Sequence, residues 1–239
     1  MRSFLVAALA LLGACSTTVP SLPPVNPPRA AALPSPPRAL AALESDVEAM
    51  GDAAGAGQFA QARDVLRRAR HVWARLRPQV LARDAAATTI NAMNAGLGWF
   101  ASDLDRRRAR AAATDATFVT LRVADLMDLY TTPTPSDALR LDARLRQAQV
   151  AGWSSDWRAA ATALEEADAI WRRLRPTMLA RARRPVMAIE TSRDLDDVFG
   201  QLFSALMRED QGDLQSATAH GLDLVDRVED AFQAARAAR

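Results

Sequence analysis

The chain has 239 residues and a formal net charge of +2, from 30 basic side chains, all of them arginine, against 28 acidic ones. That balance lacks the positive excess with which a protein grips nucleic acid, so no nucleic-acid partner is expected. A single cysteine excludes an internal disulfide framework, and the length leaves room for one large or two small domains with a real core.

The chain opens Met1-Arg2, runs apolar from Phe4 to Leu12 and continues Gly13-Ala14-Cys15. A charged start, a short apolar run and small residues are the order of a secretory signal. The run falls well short of the roughly 20 apolar residues a bilayer span needs, so it targets rather than spans. Leu12-Gly13-Ala14-Cys15 resembles the lipobox of bacterial lipoproteins. The resemblance implies a signal peptide over residues 1–14 and a mature chain that begins at Cys15, acylated there by membrane lipid. It also implies a place in the cell envelope, on the periplasmic side of the outer or inner membrane. A lone exported thiol has no internal partner, which accords with a lipid on its sulfur. Two or more acyl chains, at about 0.8 kcal/mol per buried methylene, hold stably where one does not.

Residues 15–38 follow as a tether rich in proline, including Pro20, Pro23, Pro24, Pro27, Pro28, Pro34, Pro36 and Pro37. Proline lacks the N–H that helices and sheets need, so this stretch reads as a semi-rigid spacer. At about 3.1 Å per residue it reaches roughly 70 Å.

Beyond the tether the chain repeats itself. Trp73-Ala-Arg-Leu-Arg-Pro-Gln-Val-Leu-Ala-Arg83 returns 98 residues later as Trp171-Arg-Arg-Leu-Arg-Pro-Thr-Met-Leu-Ala-Arg181. The same offset carries Phe59, Ala62, Leu66, Ala69, Val72 and Leu76 onto Trp157, Ala160, Leu164, Ala167, Ile170 and Leu174, the 3-4 spacing of a helix with one buried stripe. Leu43, Val47 and Met50 map likewise onto Leu141, Leu145 and Ala148, and Asp125-Leu-Met-Asp128 onto Asp223-Leu-Val-Asp226.

The expected fold is therefore all-α: two tandem copies of a roughly four-helix unit, at 39–131 and 137–239 with a linker at 132–136, packed as bundles or as a continuous array. Helices are expected over 39–54, 58–76, 78–110 and 115–131, and again over 137–151, 156–174, 176–209 and 212–236. Gly57 and Ser155 precede the second helix of each unit, Pro78 and Pro176 suit the first turn of the third, and Ser136 suits an N-cap. Pro185, where the first unit has Ala87, should kink or break the third helix of the second unit.

The stretches Gly57-Gln-Phe-Ala-Gln-Ala-Arg-Asp-Val-Leu-Arg-Arg-Ala69 and Asp156-Trp-Arg-Ala-Ala-Ala-Thr-Ala-Leu-Glu-Glu-Ala167 resemble the second helix of a tetratricopeptide repeat. That resemblance implies a helical scaffold that binds other proteins.

Three groups of residues are candidate sites. Arg75, Arg77 and Arg83 recur as Arg173, Arg175 and Arg181, and guanidinium forks suit an anion such as a phosphate, although helix-end and solvent roles explain them more simply. Asp125 and Asp128, and Asp223 and Asp226 with His220, form i, i+3 acidic sets that could hold a cation; without a Glu-x-x-His motif no metal site is expected. Trp99, Phe100, Trp153 and Trp157 could line a pocket but read first as core. His71 reads as a boundary residue and Arg106 to Arg110 as a solvated helix end.

No Gly-x-Ser-x-Gly elbow, phosphate loop, His-Glu-x-x-His helix or candidate cysteine nucleophile is present, and Glu190 is a single unpaired acid. The expectation is a lipoprotein without catalysis or cofactor, a helical scaffold for another envelope protein or polymer. The alternative is a periplasmic helical bundle that binds a small ligand or a metal.

Overall fold

A computed structural model describes residues 33–182 and 184–233. Cys15, the signal and most of the tether lie outside the described residues. Eight helices account for nearly all of the rest, with no strand among the described residues: α1 (Arg38–Gly55), α2 (Phe59–Leu81), α3 (Ala87–Asp105), α4 (Ala109–Met127), α5 (Ser136–Trp153), α6 (Trp157–Arg181), α7 (Pro185–Met207) and α8 (Gln211–Gln233).

Each run of four helices closes on itself. α1 packs on α2 and α4, and α3 packs on α2 and α4; α5 to α8 repeat the ring. Closure follows from the stripes: each helix buries an apolar face, and short turns oblige sequential neighbours to bury them together. Leu43, Met50, Trp73, Leu76, Met93 and Phe100 build the first core; Leu141, Leu145, Leu164, Trp171, Leu195 and Leu202 build the second. The two bundles join along α4 and α5, and Leu139 of α5 belongs to the first core. From Leu33 to the end of the described residues the chain is one compact unit.

The turns show the duplication at atomic detail. α1, α2 and α3 begin 98 residues before α5, α6 and α7. Gly57 and Ser155 take left-handed φ values of 72° and 53° at matched turns. Asp156 caps α6 by accepting from Ala159 N at 3.0 Å.

Several expectations are corrected. Pro78 and Pro176 lie inside α2 and α6, not at the start of a third helix. Each helix runs only about one further turn, and Ala74 and Arg172, whose carbonyls lose their usual donors, are exposed to water. The third helix is correspondingly shorter than expected, Ala87 to Asp105, and Pro185 opens α7 at its first position, where its missing N–H costs nothing. Ser136 is the first residue of α5 rather than its cap; its hydroxyl donates to Asp128 and accepts from Arg140 at 2.8 Å.

The register of the fourth helix also shifts. Arg107 and Glu209 are matched left-handed turn residues 102 apart, with the same backbone bonds around them. Trp73 Nε1 donates to Asn94 Oδ1 at 2.8 Å, and Trp171 Nε1 donates to Asp196 Oδ1 at 2.8 Å. The tryptophans are 98 apart and their acceptors 102. Four residues, just over one helical turn, are therefore added early in α7, which leaves the buried stripe on the same side. Asp223 and Asp226 are consequently not the structural counterparts of Asp125 and Asp128.

Candidate functional site

A concavity runs along the seam between the bundles. It is a cleft of about 370 Å³ lined from α1, α4, α5 and α8. Its apolar surface comes from Val47, Ala113, Ala116, Leu139 and Val150, with Trp153 among the lining residues. Small residues let the helices approach there: a Cβ on Gly51 would stand 3.1 Å from that of Ala116, and one on Gly55 3.6 Å from the Trp153 ring.

Six carboxylates and one arginine line the same cleft. α1 gives Glu44, Glu48 and Asp52; α5 gives Asp142 and Arg146; α8 gives Asp226 and Glu229; α4 gives no charge, only Thr117 and Thr120 beside its alanines. Arg146 stitches the bundles, reaching Asp52 at 2.7 Å, Glu48 at 2.8 Å and Asp142 at 2.9 Å. Glu48 and Arg146 occupy the same position in the two copies, 98 residues apart, and so do Glu44 and Asp142. Glu44 and Glu229 make no hydrogen bond or ion pair among the described residues.

The electrostatics follow. Burial, reinforced by Glu48 and Asp142, pushes Glu44 up to about 7. Burial again, with Glu44, Asp142, Asp226 and Glu48 around it, pushes Glu229 up to about 8. Asp142 rises to about 6 because burial outweighs the pull of Arg146. For Arg146 itself, burial works against the charge, but Asp142, Asp52 and Glu48 outweigh it and the guanidinium is held above its ordinary value. The cleft thus concentrates acidic groups that the fold does not pair, and Glu44 and Glu229 keep their protons to near neutral pH.

The recurring arginines considered for an anion lie near the ends of α2 and α6, and their partners differ between the two copies. Arg173 pairs with Asp137 at 3.4 Å, Arg175 with Asp196 at 3.1 Å, and Arg181 donates to Pro133 O at 3.2 Å and lies over the Phe232 ring. Arg75, Arg77 and Arg83 are exposed, without comparable partners among the described residues. Asp125 and Asp128 are taken by Arg140, at 3.1 and 2.6 Å. Of the remaining acidic set only Asp226 reaches the cleft; His220 and Asp223 stand exposed outside it. No group of three or more His, Cys, Asp or Glu side chains among the described residues is placed to hold a metal ion.

Of the aromatics, Phe100 is core, Trp157 packs partly buried against the second core, and Trp153 lines the cleft. Trp99 is half exposed and leans on Phe118 with ring centroids 5.4 Å apart, so it is not core. His71 and Glu190 are exposed, and Arg106 to Arg108 form the α3–α4 turn. Glu44, Asp142, Arg146 and Glu229 were not singled out from the sequence. The available signal was the position of Glu44 beside Leu43 and Val47, at the edge of a buried stripe, and its equivalence to Asp142.

Fold and site together define a duplicated four-helix bundle protein with an acidic cleft at its seam. Compared with known proteins, the chain matches no family model, no curated protein and no solved structure.

Proposed function

We propose that this chain is an extracytoplasmic lipoprotein, anchored through acylated Cys15, that works by binding, and that the seam cleft is its ligand site. The anchor rests on the lipobox resemblance and on the sole cysteine at its end. No helix among the described residues is long and apolar enough to cross a membrane.

One observation carries the binding reading: a concave, partly apolar surface on which polar groups converge and stay unsatisfied, which is how ligand sites are built. It favours a small-ligand protein over a pure scaffold. Carboxyls held protonated near neutral pH also suit general acid catalysis, but a nucleophile is wanting beside them. The lining hydroxyls, Thr117 and Thr120, donate to the backbone carbonyls of Thr114 at 2.8 Å and Ala116 at 3.1 Å. Catalysis is therefore not proposed.

Native mass spectrometry of the chain purified from its own envelope tests the reading. A stoichiometric organic molecule, lost from a variant that circular dichroism shows folded and in which Gln149→Trp fills the half-exposed edge of the cleft, supports it. Recovery of a stable protein complex with an empty cleft would favour the scaffold instead.

A further inference from the structure

The seam cleft is not isolated. A second cavity of about 510 Å³ adjoins it and shares Glu44, Leu139 and Glu229. Together they are lined by α1 from Leu40 to Gly55, roughly 22 Å at 1.5 Å per residue. A trough of that length suits an extended molecule better than a compact one. Its surface alternates between apolar patches and carboxylates, and the one guanidinium in it is already shared among three acids.

We propose that this trough binds a linear organic polycation, an alkyl chain bearing two or more ammonium groups. Its methylenes lie on Val47, Ala116 and Leu139, and its charges sit at Glu44, Asp142 and Glu229. The inference rests on the cleft being a ligand site and adds the class of ligand.

Three observations select that class. Asp142 is only 9% exposed and only Oδ2 is bonded, by Arg146; Oδ1 has no partner among the described residues. A largely buried carboxylate with one free oxygen in a cleft asks for a donor there. A metal ion would need a convergent ligand set, which is not present among the described residues, and would gain nothing from the apolar floor. An anionic ligand would meet the carboxylates without a free cation to hold it. An alkylammonium chain answers both surfaces: apolar contact along its length, and charge-assisted hydrogen bonds at its nitrogens.

Titration calorimetry of the full-length chain in detergent, with spermidine as probe and 1,8-octanediol as an uncharged chain of similar length, tests the assignment. The expected result is saturable binding of one spermidine per chain, weakened at least tenfold in the double variant Glu44→Gln, Glu229→Gln. Glu190→Gln, on exposed α7 surface, should bind as the parent does. Circular dichroism establishes that each variant is folded, and glutamine, equal in size and uncharged, keeps the packing. Spermidine binding that the double variant leaves unchanged would place the probe elsewhere and overturn the proposal. Binding of octanediol but not spermidine would overturn the cationic class while leaving the cleft a ligand site. Binding of neither would overturn both.

Discussion

The charge left in the seam makes a stability prediction that needs no ligand. Glu229 titrates at about 8 in the folded protein and at about 4.5 when free of it. Because the folded value is the higher, the fold holds more protons than the unfolded chain between those two values. Stability therefore falls as pH rises through that window. At about 1.4 kcal/mol per pH unit the full interval amounts to roughly 5 kcal/mol. Glu44 can take up part of the proton demand and Glu229 is partly open to water, so about 2 kcal/mol is the amount one substitution should recover. Glu229→Gln keeps the shape and cannot ionise. It should match the parent near pH 4, where the carboxyl is protonated in both states. At pH 8 it should unfold roughly 4–8 °C higher, followed by far-ultraviolet circular dichroism. A variant no more stable than the parent at pH 8, or one whose advantage is the same at pH 4 and pH 8, would refute the electrostatic account.

Other predictions probe the fold and the anchor. Gly96→Ala should destabilise by about 1–3 kcal/mol in chemical denaturation, since the new methyl meets Val119 Cγ2 at 2.7 Å and Phe118 Cδ1 at 2.9 Å. Two residues on, Gly98→Ala meets nothing within 4 Å and should stabilise α3 by up to about 1 kcal/mol, so opposite signs on one helix are the outcome to look for. Trp73→Phe and Trp171→Phe should each cost about 1 kcal/mol or more through the lost indole bond to Asn94 or Asp196 and the smaller ring left in a buried site, and equal midpoints for variant and parent would count against the matched bonds. Cys15→Ser should abolish fatty-acid labelling and release the chain from membranes; unchanged labelling and retention would remove the basis for the anchor.

The helices were legible because their stripes are. Apolar residues at 3-4 spacing place α2 and α6 within a residue at their starts, and the turn residues Gly57 and Ser155 mark the entry. Pro78 and Pro176 misled because a proline one turn from a helix end is nearly free of cost when the carbonyl it orphans faces water. Spacing along the chain does not record which way that carbonyl points. The added turn in α7 was hidden for a related reason. Four residues return a helix to almost the same face, so a gapless offset still pairs apolar with apolar across α4 and α8. The matched turns at Arg107 and Glu209, and the indole bonds with donors 98 apart and acceptors 102 apart, expose the shift. The cleft was illegible as a site because each of its acids, taken alone, reads as a solvated helix face. Their meeting depends on how two bundles abut.

That meeting is a consequence of duplication. Across the seam, side chains of α1 and of its counterpart α5 meet at matched positions, so residues 98 apart come to line one cleft. At the Glu48 position the copies differ, and Arg146 in the second answers Glu48 in the first at 2.8 Å. One turn away the copies still agree in sign, with Glu44 and Asp142 both lining the cleft and Asp142 raising the affinity of Glu44 for a proton. The chain thus holds, within one turn, both the arrangement that neutralises the seam and the one that leaves it charged. A wholly structural joint would gain from the first at both places. Leaving the second in a concave, apolar-floored cleft, with Glu229 added from α8, costs stability that an incoming cation would return. On the proposed reading, that trade is what sets a binding site apart from a joint.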